Sequence, residues 1–185
     1  MISTSSPVQK TEQLLCIFLD LDTVLLATHQ GKYGPELAMQ SGVDEPLERL
    51  AESAGALVVL IHPHEPDSPR AIDTANRLSA LREGLGRRMD GLIIATCPHG
   101  EDGSCACAKP GTGLIDHVLA EHGLSPEHGW YIGGDQPGVV TGRTAGLKTV
   151  RLGPAGEDRL SSIHRPDYEA RDLLDASNHI MFAVT

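Results

Sequence analysis

Short apolar runs alternate with amphipathic segments along most of this chain. The segment LLCIFLD, residues 14–20, is built from Leu, Cys, Ile and Phe until it ends in an acid. An apolar run of this length, bounded by polar residues, is typical of a strand that is buried on both faces, as in parallel sheets. Further runs of this kind, and intervening segments with apolar residues at helical spacing, predict a regular alternation of strands and helices.

The pattern predicts five strands and five helices. The strands cover 14–20, 56–61, 90–96, 130–135 and 148–152, and the helices cover 44–54, 68–87, 113–122, 137–146 and 171–182. Because helical connections between strands favour parallel pairing with right-handed crossovers, we expect a doubly wound α/β sheet. Residues 27–42 show no clear period and predict a loop that forms at most a small lid.

Two carboxylates follow the first predicted strand. Asp20 and Asp22 are separated by one apolar residue, so strand alternation would place both side chains on the same side of the backbone. Burying them without partners would cost several kcal/mol, on the order of 2–7 for a polar group. We therefore expect them in the crevice at the carboxyl ends of the strands, where open α/β sheets bind ligands. The alternative is an ordinary turn at Asp20 with a local cap at Asp22.

The composition limits the possible partners. The chain has 185 residues, 40% hydrophobic content and a net charge of −10, which argues against a general nucleic-acid or anionic-membrane surface. An anionic ligand would need a local positive site such as a metal, a lysine or a helix N-terminus. The polar residues 1–13 predict a disordered tail before a single domain over 14–185, and neither a signal sequence nor a membrane span is expected. We expect a cytoplasmic monomer or small homo-oligomer.

Three of the four cysteines lie close together. The segment CPHGEDGSCAC places Cys97, His99, Cys105 and Cys107 in the pattern C-x-H-x5-C-x-C, while Cys16 lies in the first strand. Three thiols and one imidazole are the ligand set of a closed, tetrahedral zinc site, so the pattern predicts a structural Zn²⁺ with no open position for catalysis. The alternative is a set of scattered cysteines with a surface histidine.

Two more segments complete the chemistry. Lys109 lies two residues after the last cysteine and just before a predicted helix, where a cation and backbone N–H groups can hold an anion such as phosphate. The fourth predicted strand ends in Gly133-Gly134-Asp135, which places a third carboxylate at the same edge of the sheet. A GGD segment alone is more often a turn.

The order strand-DLD, Lys109, strand-GGD on a parallel sheet resembles the haloacid dehalogenase superfamily. The Cys/His insertion directly before the lysine is similar to the branch that contains heptose 1,7-bisphosphate phosphatases and the histidinol-phosphate phosphatase domain. The resemblance covers residues 14–152, and PDYEARDLLDASNHI, residues 166–180, resembles the closing strand and helix of that branch. It implies a haloacid dehalogenase-like sheet without a large cap and with a zinc-binding loop.

The resemblance also implies residue roles. Asp20 would attack phosphorus and form an aspartyl-phosphate. Asp22 would protonate the leaving oxygen and then activate water. Mg²⁺ would be held by Asp20, the backbone carbonyl of Asp22 and Asp135, and Lys109 would neutralise the transferred group. The expected activity is hydrolysis of a small phosphorylated metabolite, with a heptose phosphate or another sugar phosphate favoured.

Several positions depart from the pattern of the superfamily. At the end of the second strand it places a Ser or Thr that binds phosphate, whereas this chain has Ile61-His62. His62 or His64 is therefore expected to bind the substrate, with an imidazole that titrates near neutral pH.

Three further departures affect the phosphate site and its metal. Ala108 replaces an arginine that commonly precedes the lysine, Val139 stands where a second acid usually follows Asp135, and Thr23 replaces a glycine after the second aspartate. These losses leave two alternatives open: a catalytically impaired domain that binds a phosphorylated ligand or a partner protein, and phosphoryl transfer to an acceptor other than water.

Overall fold

The described part of the chain comprises residues 14–31, 34–63, 74–86, 92–99, 105–153 and 164–184 of a computed structural model. Its strands are β1 (Cys16–Asp20), β2 (Leu26–Gly31), β3 (Gly34–Met39), β4 (Ala56–Ile61), β5 (Leu92–Thr96), β6 (Gly129–Gly133), β7 (Lys148–Leu152) and β8 (Tyr168–Ala170). Its α-helices are α1 (Asp44–Ser53), α2 (Thr74–Leu85), α3 (Gly113–His122), α4 (Gln136–Thr144) and α5 (Leu173–Val184).

Six of these strands form one parallel sheet in the order β5-β4-β1-β6-β7-β8. The chain therefore builds outward from β1 in one direction through β4 and β5, and then in the other through β6, β7 and β8. The crevice at the carboxyl end of β1 lies where the strand order reverses, which is the usual place for ligands in open α/β sheets. The predicted doubly wound parallel sheet is confirmed.

The two faces of the sheet carry separate apolar cores. Ile17 and Leu19 of β1 point to one face, and Cys16 and Phe18 point to the other, as strand alternation requires. Side chains of α1 and α5 cover the first face, whereas Leu114, Ile115 and Val118 of α3 cover the second. Because β1 is buried on both faces, its apolar run has no polar interruption before Asp20.

The expectation of a loop over residues 27–42 is wrong. Strands β2 and β3 form a two-stranded antiparallel hairpin here, with Leu26 paired to Met39 at its base. The local sequence does not alternate apolar and polar residues, so this pairing had no signature in the hydrophobic pattern. β3 packs against α2, and the side chain of Met39 fills the space where a Cβ at Gly84 would lie.

The expectation that Asp22 continues the alternation of β1 is also wrong. β1 ends at Asp20, and Leu21–Leu25 form a single π-helical turn, a conformation often found at functional sites. The Asp20 carboxylate caps this turn by accepting a hydrogen bond from the Thr23 amide at 3.1 Å. The side-chain direction of Asp22 is therefore set by the turn and not by the strand.

The other elements agree with their predicted positions to within a few residues, as far as the described residues reach. The segment 68–73, predicted as the start of the second helix, lies outside them, as do residues 1–13. None of the helices described here is long and apolar enough to cross a membrane.

Candidate active site

Asp20 is the last residue of β1, and its side chain is buried. Three groups donate hydrogen bonds to its carboxylate: the Thr23 amide to Oδ1, and the Lys109 ammonium and the Tyr131 hydroxyl to Oδ2, at 2.8 and 3.0 Å. Burial alone would raise the pKa of Asp20, but the Lys109 charge and these hydrogen bonds lower it to about 2. Asp20 is therefore an ionised carboxylate at neutral pH.

Lys109 connects two carboxylates. Its ammonium lies 2.8 Å from Oδ2 of Asp20 and 2.7 Å from Oδ2 of Asp135. Burial would lower the pKa of Lys109, but the two carboxylates raise it above the usual value for lysine. A cation is thus held between two acids that would otherwise repel each other.

Asp135 follows β6 and caps the N-terminus of α4. Its Oδ1 accepts a hydrogen bond from the Gly138 amide at 2.8 Å, which leaves Oδ2 facing Lys109. The capping contact fixes the carboxylate at the same edge of the sheet as Asp20. The GGD segment is therefore both a helix cap and a part of the site.

Asp22 contacts a buried arginine. Nη1 of Arg77, on α2, donates to Oδ2 of Asp22 at 3.0 Å and to the backbone carbonyl of His62 at 2.7 Å. The Arg77 side chain is 1% exposed and that of Asp22 is 22% exposed. Arg77 therefore joins α2, the end of β4 and the turn that carries Asp22.

His62 lies directly after β4 and is also buried. Its Nδ1 is 2.9 Å from the carbonyl oxygen of Cys107, and since a carbonyl can only accept, Nδ1 carries the proton. Within the described residues Nε2 has no hydrogen-bond partner. Burial lowers the pKa of His62, although the nearby Asp20 opposes this shift. His64 lies outside the described residues.

The predicted cysteine and histidine ligands form one cluster. Sγ of Cys97 lies 3.3 Å from Sγ of Cys105 and 3.6 Å from Nδ1 of His99, and Sγ of Cys107 lies 3.5 Å from the same nitrogen. All four ligand atoms lie within 4.8 Å of one another. Ligand atoms about 2.3 Å from a tetrahedral zinc would be separated by about 3.8 Å, so these four can hold one metal ion.

The electrostatics of the cluster also favour a cation. Burial and the neighbouring sulfurs raise the pKa of Cys107 to about 12, and burial raises that of Cys97. Three thiolates at these distances would repel one another strongly without a positive charge between them. The donor set therefore fits a thiophilic divalent metal.

Thr23, one of the departures, has a defined role. Its hydroxyl accepts a hydrogen bond from the Gly134 amide at 2.8 Å, while its own amide donates to Asp20. Thr23 therefore ties the turn after β1 to the turn after β6. Val139, another departure, is fully buried on α4.

Two residues of the site were not found from the sequence. Arg77 lies on the buried face of α2 with Leu81 and Leu85, at spacings of four, and an arginine on an apolar helix face would have indicated an acidic partner. Tyr131 lies inside a buried strand, where its ring resembles ordinary core. Burial raises the pKa of Tyr131 well above the usual value for tyrosine, and the negative charge of Asp20 raises it further. The hydroxyl therefore keeps its proton and remains a donor. Only its hydroxyl contact reveals its part in the site.

The chain is similar to several known proteins, although at low sequence identity. No family model matches it. The D-glycero-beta-D-manno-heptose-1,7-bisphosphate 7-phosphatase of Haemophilus ducreyi is 26% identical over 155 residues, which cover 75% of this chain and 84% of that protein. The crystal structure of D,D-heptose 1,7-bisphosphate phosphatase from B. bronchiseptica, complexed with magnesium and phosphate, has a TM-score of 0.66 and 20% identity, covering 91% of this chain and 98% of that one.

A protein from Legionella pneumophila assigned to the HAD superfamily, subfamily III A, has a TM-score of 0.59 at 14% identity and covers 92% of this chain and 84% of its own. The chain has the haloacid dehalogenase fold. These similarities confirm the predicted resemblance to the branch that contains heptose bisphosphate phosphatases. The fold class predicted with it, including a loop that can hold a metal ion, is confirmed as well.

The Arg77 contact can be tested by its effect on stability. Replacing Arg77 by Met removes a buried cation from Asp22 and from the carbonyl of His62, so we expect a loss of about 1–3 kcal/mol in the free energy of unfolding. Urea denaturation measures this loss. Arg82→Met, on the exposed side of the same helix, is the matched control. Equal stability of the two variants would contradict the structural importance of the contact.

Proposed function

We propose that this haloacid dehalogenase-like protein is a Mg²⁺-dependent phosphomonoester hydrolase. Its substrate is a small phosphorylated metabolite, with a sugar phosphate such as a heptose phosphate favoured. The observation that carries the proposal is the buried, ionised Asp20 at the end of β1, held together with Asp135 by the Lys109 ammonium. A fold needs no such arrangement, because burying these charges stabilises it little.

In this proposal Asp20 is the nucleophile. Its carboxylate oxygen forms a bond to phosphorus while the bond from phosphorus to the leaving oxygen breaks, giving an aspartyl-phosphate that water then hydrolyses. The low pKa of Asp20 keeps the oxygen in its reactive, unprotonated form. Lys109 stabilises the charge of the transferred phosphoryl group from its position beside Asp20.

Asp22 is the proposed general acid and base. It would give a proton to the leaving oxygen and later take one from the attacking water. The ion pair with Arg77 holds its carboxylate in a defined place while 22% of the side chain remains exposed. This combination of fixed position and access suits a proton-transfer group.

The site also suits a magnesium ion. Asp20, Asp135 and the backbone carbonyl of Asp22 would supply oxygen ligands, as Mg²⁺ prefers. Support comes from the Lys109 ammonium, which already occupies a position between the two carboxylates and shows that they favour a cation there. When bound, the ion would reduce the repulsion between carboxylate and phosphate.

His62 and His64 are proposed to contact the phosphate in place of the usual hydroxyl residue. The buried Nε2 of His62 lies in the electrostatic range of Asp20, Lys109 and Asp135. This nitrogen accepts a hydrogen bond in the neutral ring and donates one in the protonated ring, so it can bind either P–OH or P–O⁻.

The Cys/His cluster is proposed to bind a structural Zn²⁺ through Cys97, His99, Cys105 and Cys107. With all four positions filled by protein, the ion would not bind water. Its effect on the reaction would be indirect, because Lys109 follows Cys107 by two residues and the Cys107 carbonyl holds the His62 ring. The loop would thus position both Lys109 and the His62 ring in the phosphate site.

A cavity of about 220 Å³ beside the site can hold the organic part of the substrate. Its border combines polar residues, which are Thr23, Gln40, Ser41, Arg171 and Asp172, with the apolar residues Val24, Val43, Leu152 and Leu173 and with Gly42 and Gly153. Hydroxyl, amide and guanidinium groups match a polyol, which supports a sugar phosphate. The net charge of −10 makes nucleic acid and anionic membranes poor partners, and a cytoplasmic location remains a prediction.

Three departures at the site favour a second candidate function, a catalytically impaired domain that binds a phosphorylated ligand or a partner protein. The site has Ala108 and the buried Val139 where the superfamily commonly has an arginine and an acid, and a histidine in place of the hydroxyl residue. Activity measurements separate the two functions.

The proposed nucleophile is tested first. The zinc-loaded protein and Asp20→Asn are incubated with p-nitrophenyl phosphate and a panel of sugar phosphates, with and without Mg²⁺, and released phosphate is measured. We expect Mg²⁺-dependent release that falls by on the order of 10³-fold or more in Asp20→Asn, because the nucleophile is lost. Asp116→Asn on the exposed side of α3 is the matched control and should retain activity. No release from the folded wild-type protein would favour the binding function.

The role of His62 is tested with two substitutions. In His62→Asn the side-chain amide can still donate to the Cys107 carbonyl, but no group remains at the position of Nε2. His62→Leu removes both the donor to Cys107 and the group at the position of Nε2. If Nε2 contacts the phosphate, the His62→Asn variant should keep its zinc but show a KM for p-nitrophenyl phosphate about tenfold higher than that of the wild type. A change of this size is expected for the loss of one hydrogen bond to a charged group. An unchanged KM in both variants would remove His62 from the substrate site.

The metal ion of the cluster is tested by elemental analysis. After dialysis against a mild chelator, we expect Cys105→Ser to retain much less zinc than the wild type, because one of four ligands is lost, and to lose activity through Lys109. Cys16→Ala, which removes a thiol outside the cluster, is the control and should retain the metal. A wild-type protein without zinc would contradict the ligand assignment.

A further inference from the structure

We propose that Tyr131 is a positioning residue that holds the Asp20 carboxylate and favours breakdown of the aspartyl-phosphate over its accumulation. This inference rests on the proposed function, since it concerns a covalent intermediate on Asp20. It adds a residue to which the resemblance assigns no role. The argument depends on one hydrogen bond and on the way the surrounding backbone holds the tyrosine ring.

The hydrogen bond between Tyr131 and Asp20 is completely buried. The Tyr131 hydroxyl donates to Oδ2 of Asp20 at 3.0 Å, and both side chains have no exposed surface. Tyr131 pairs with Phe18 in the neighbouring β1, two residues before Asp20. A buried hydroxyl is nearly always hydrogen-bonded, so its orientation here is fixed by the carboxylate, and the carboxylate by it.

The ring occupies a space that three glycines leave open. A Cβ at Gly133 would lie 2.7 Å from a ring carbon of Tyr131, one at Gly138 would lie 2.5 Å from its hydroxyl oxygen, and one at Gly142 would lie 2.7 Å from its Cβ. Two of these glycines lie on α4, so the helix backbone packs directly on the ring. The hydroxyl therefore has little freedom to turn away from Asp20.

The two oxygens of Asp20 have different environments. Oδ2 accepts from Lys109 and Tyr131, whereas Oδ1 accepts from the Thr23 amide. We assign Oδ1 as the attacking oxygen, because Oδ2 already has two strong donors. In the aspartyl-phosphate, Oδ2 then becomes the carbonyl oxygen of the mixed anhydride and keeps its contact with the tyrosine.

The hydrogen bond from Tyr131 differs in strength between the free carboxylate of Asp20 and the aspartyl-phosphate. A hydrogen bond to a charged carboxylate is stronger than one to a neutral carbonyl oxygen. During breakdown, the water oxygen forms a bond to phosphorus, the bond between Oδ1 and phosphorus breaks, and its electron pair returns to the Asp20 carboxylate. The water proton goes to Asp22. The Tyr131 hydroxyl stabilises the carboxylate that is released. It therefore lowers the barrier to breakdown of the aspartyl-phosphate relative to the barrier to its formation.

The test uses the zinc-loaded protein with Mg²⁺ and ³²P-labelled p-nitrophenyl phosphate. The acid-quenched phosphoenzyme fraction and the rate of its decay are measured for the wild type, Tyr131→Phe and Tyr168→Phe. Tyr168 donates its hydroxyl to Asp175 at 3.2 Å near the far edge of the sheet, so it is the matched control. We expect about tenfold slower phosphoenzyme decay and a larger phosphoenzyme fraction in Tyr131→Phe only. A purely structural role would lower formation and decay together and would not raise this fraction.

A second variant retains the tyrosine. Gly142→Ala would place a methyl group 2.7 Å from Cβ of Tyr131 with no site carboxylate among its nearest atoms, and so displace the ring from Asp20; we expect the phosphoenzyme fraction to rise there too. Decay in Tyr131→Phe at the wild-type rate would overturn the inference and leave the proposed hydrolysis intact. Absence of Mg²⁺- and Asp20-dependent phosphate release in the wild type would instead overturn the proposed function and this inference with it.

Discussion

The ion pair between Lys109 and Asp20 is the interaction on which the site depends. A carboxylate without exposed surface is costly unless a cation and hydrogen bonds accompany it, and Lys109 supplies the cation. The same ammonium holds Asp135, which caps α4. Removing the lysine would leave two acids facing each other at the carboxyl edge of the sheet. The position of one side chain therefore determines whether the carboxyl end of β1 can be buried at all.

The loop that delivers Lys109 carries the cluster of Cys97, His99, Cys105 and Cys107, which could hold a metal ion. Among its described residues the backbone forms short turns that lead into α3, for example the hydrogen bond from the Gly113 amide to the Ala106 carbonyl at 2.9 Å. The Cys107 carbonyl accepts from His62, so the loop also contacts the end of β4. A metal ion bound by the cluster would therefore act on the site through the position of the loop backbone.

Local sequence patterns predict the sheet and most of the site. Apolar runs such as Ala56–Ile61 predict buried strands because burial on both faces requires apolar residues throughout, and acids directly after such runs predict a crevice. The cysteine spacing predicts the metal cluster for a similarly local reason. The hairpin was missed because its strands are stabilised by pairing with each other, and the residues 27–31 carry no alternation.

Arg77 and Tyr131 were missed for a different reason. Each belongs to an element whose type was predicted correctly, but its partner is distant in sequence: Asp22 is 55 positions from Arg77, and Asp20 is 111 positions from Tyr131. Such contacts depend on how the elements pack, so the pattern of α2 could indicate an acidic partner for Arg77 but not which acid it is. The turn after β1 is similar, since its π-helical form depends on the cap from Asp20 and on the Gly134 amide.

The contact between Met39 and Gly84 has a mechanical consequence. Because the methionine side chain fills the space over the glycine, the hairpin cannot tilt away from α2 without opening a void between them. The same helix carries Arg77, whose guanidinium holds Asp22. Through α2, the position of the hairpin at Met39 is therefore coupled to the position of the Asp22 carboxylate.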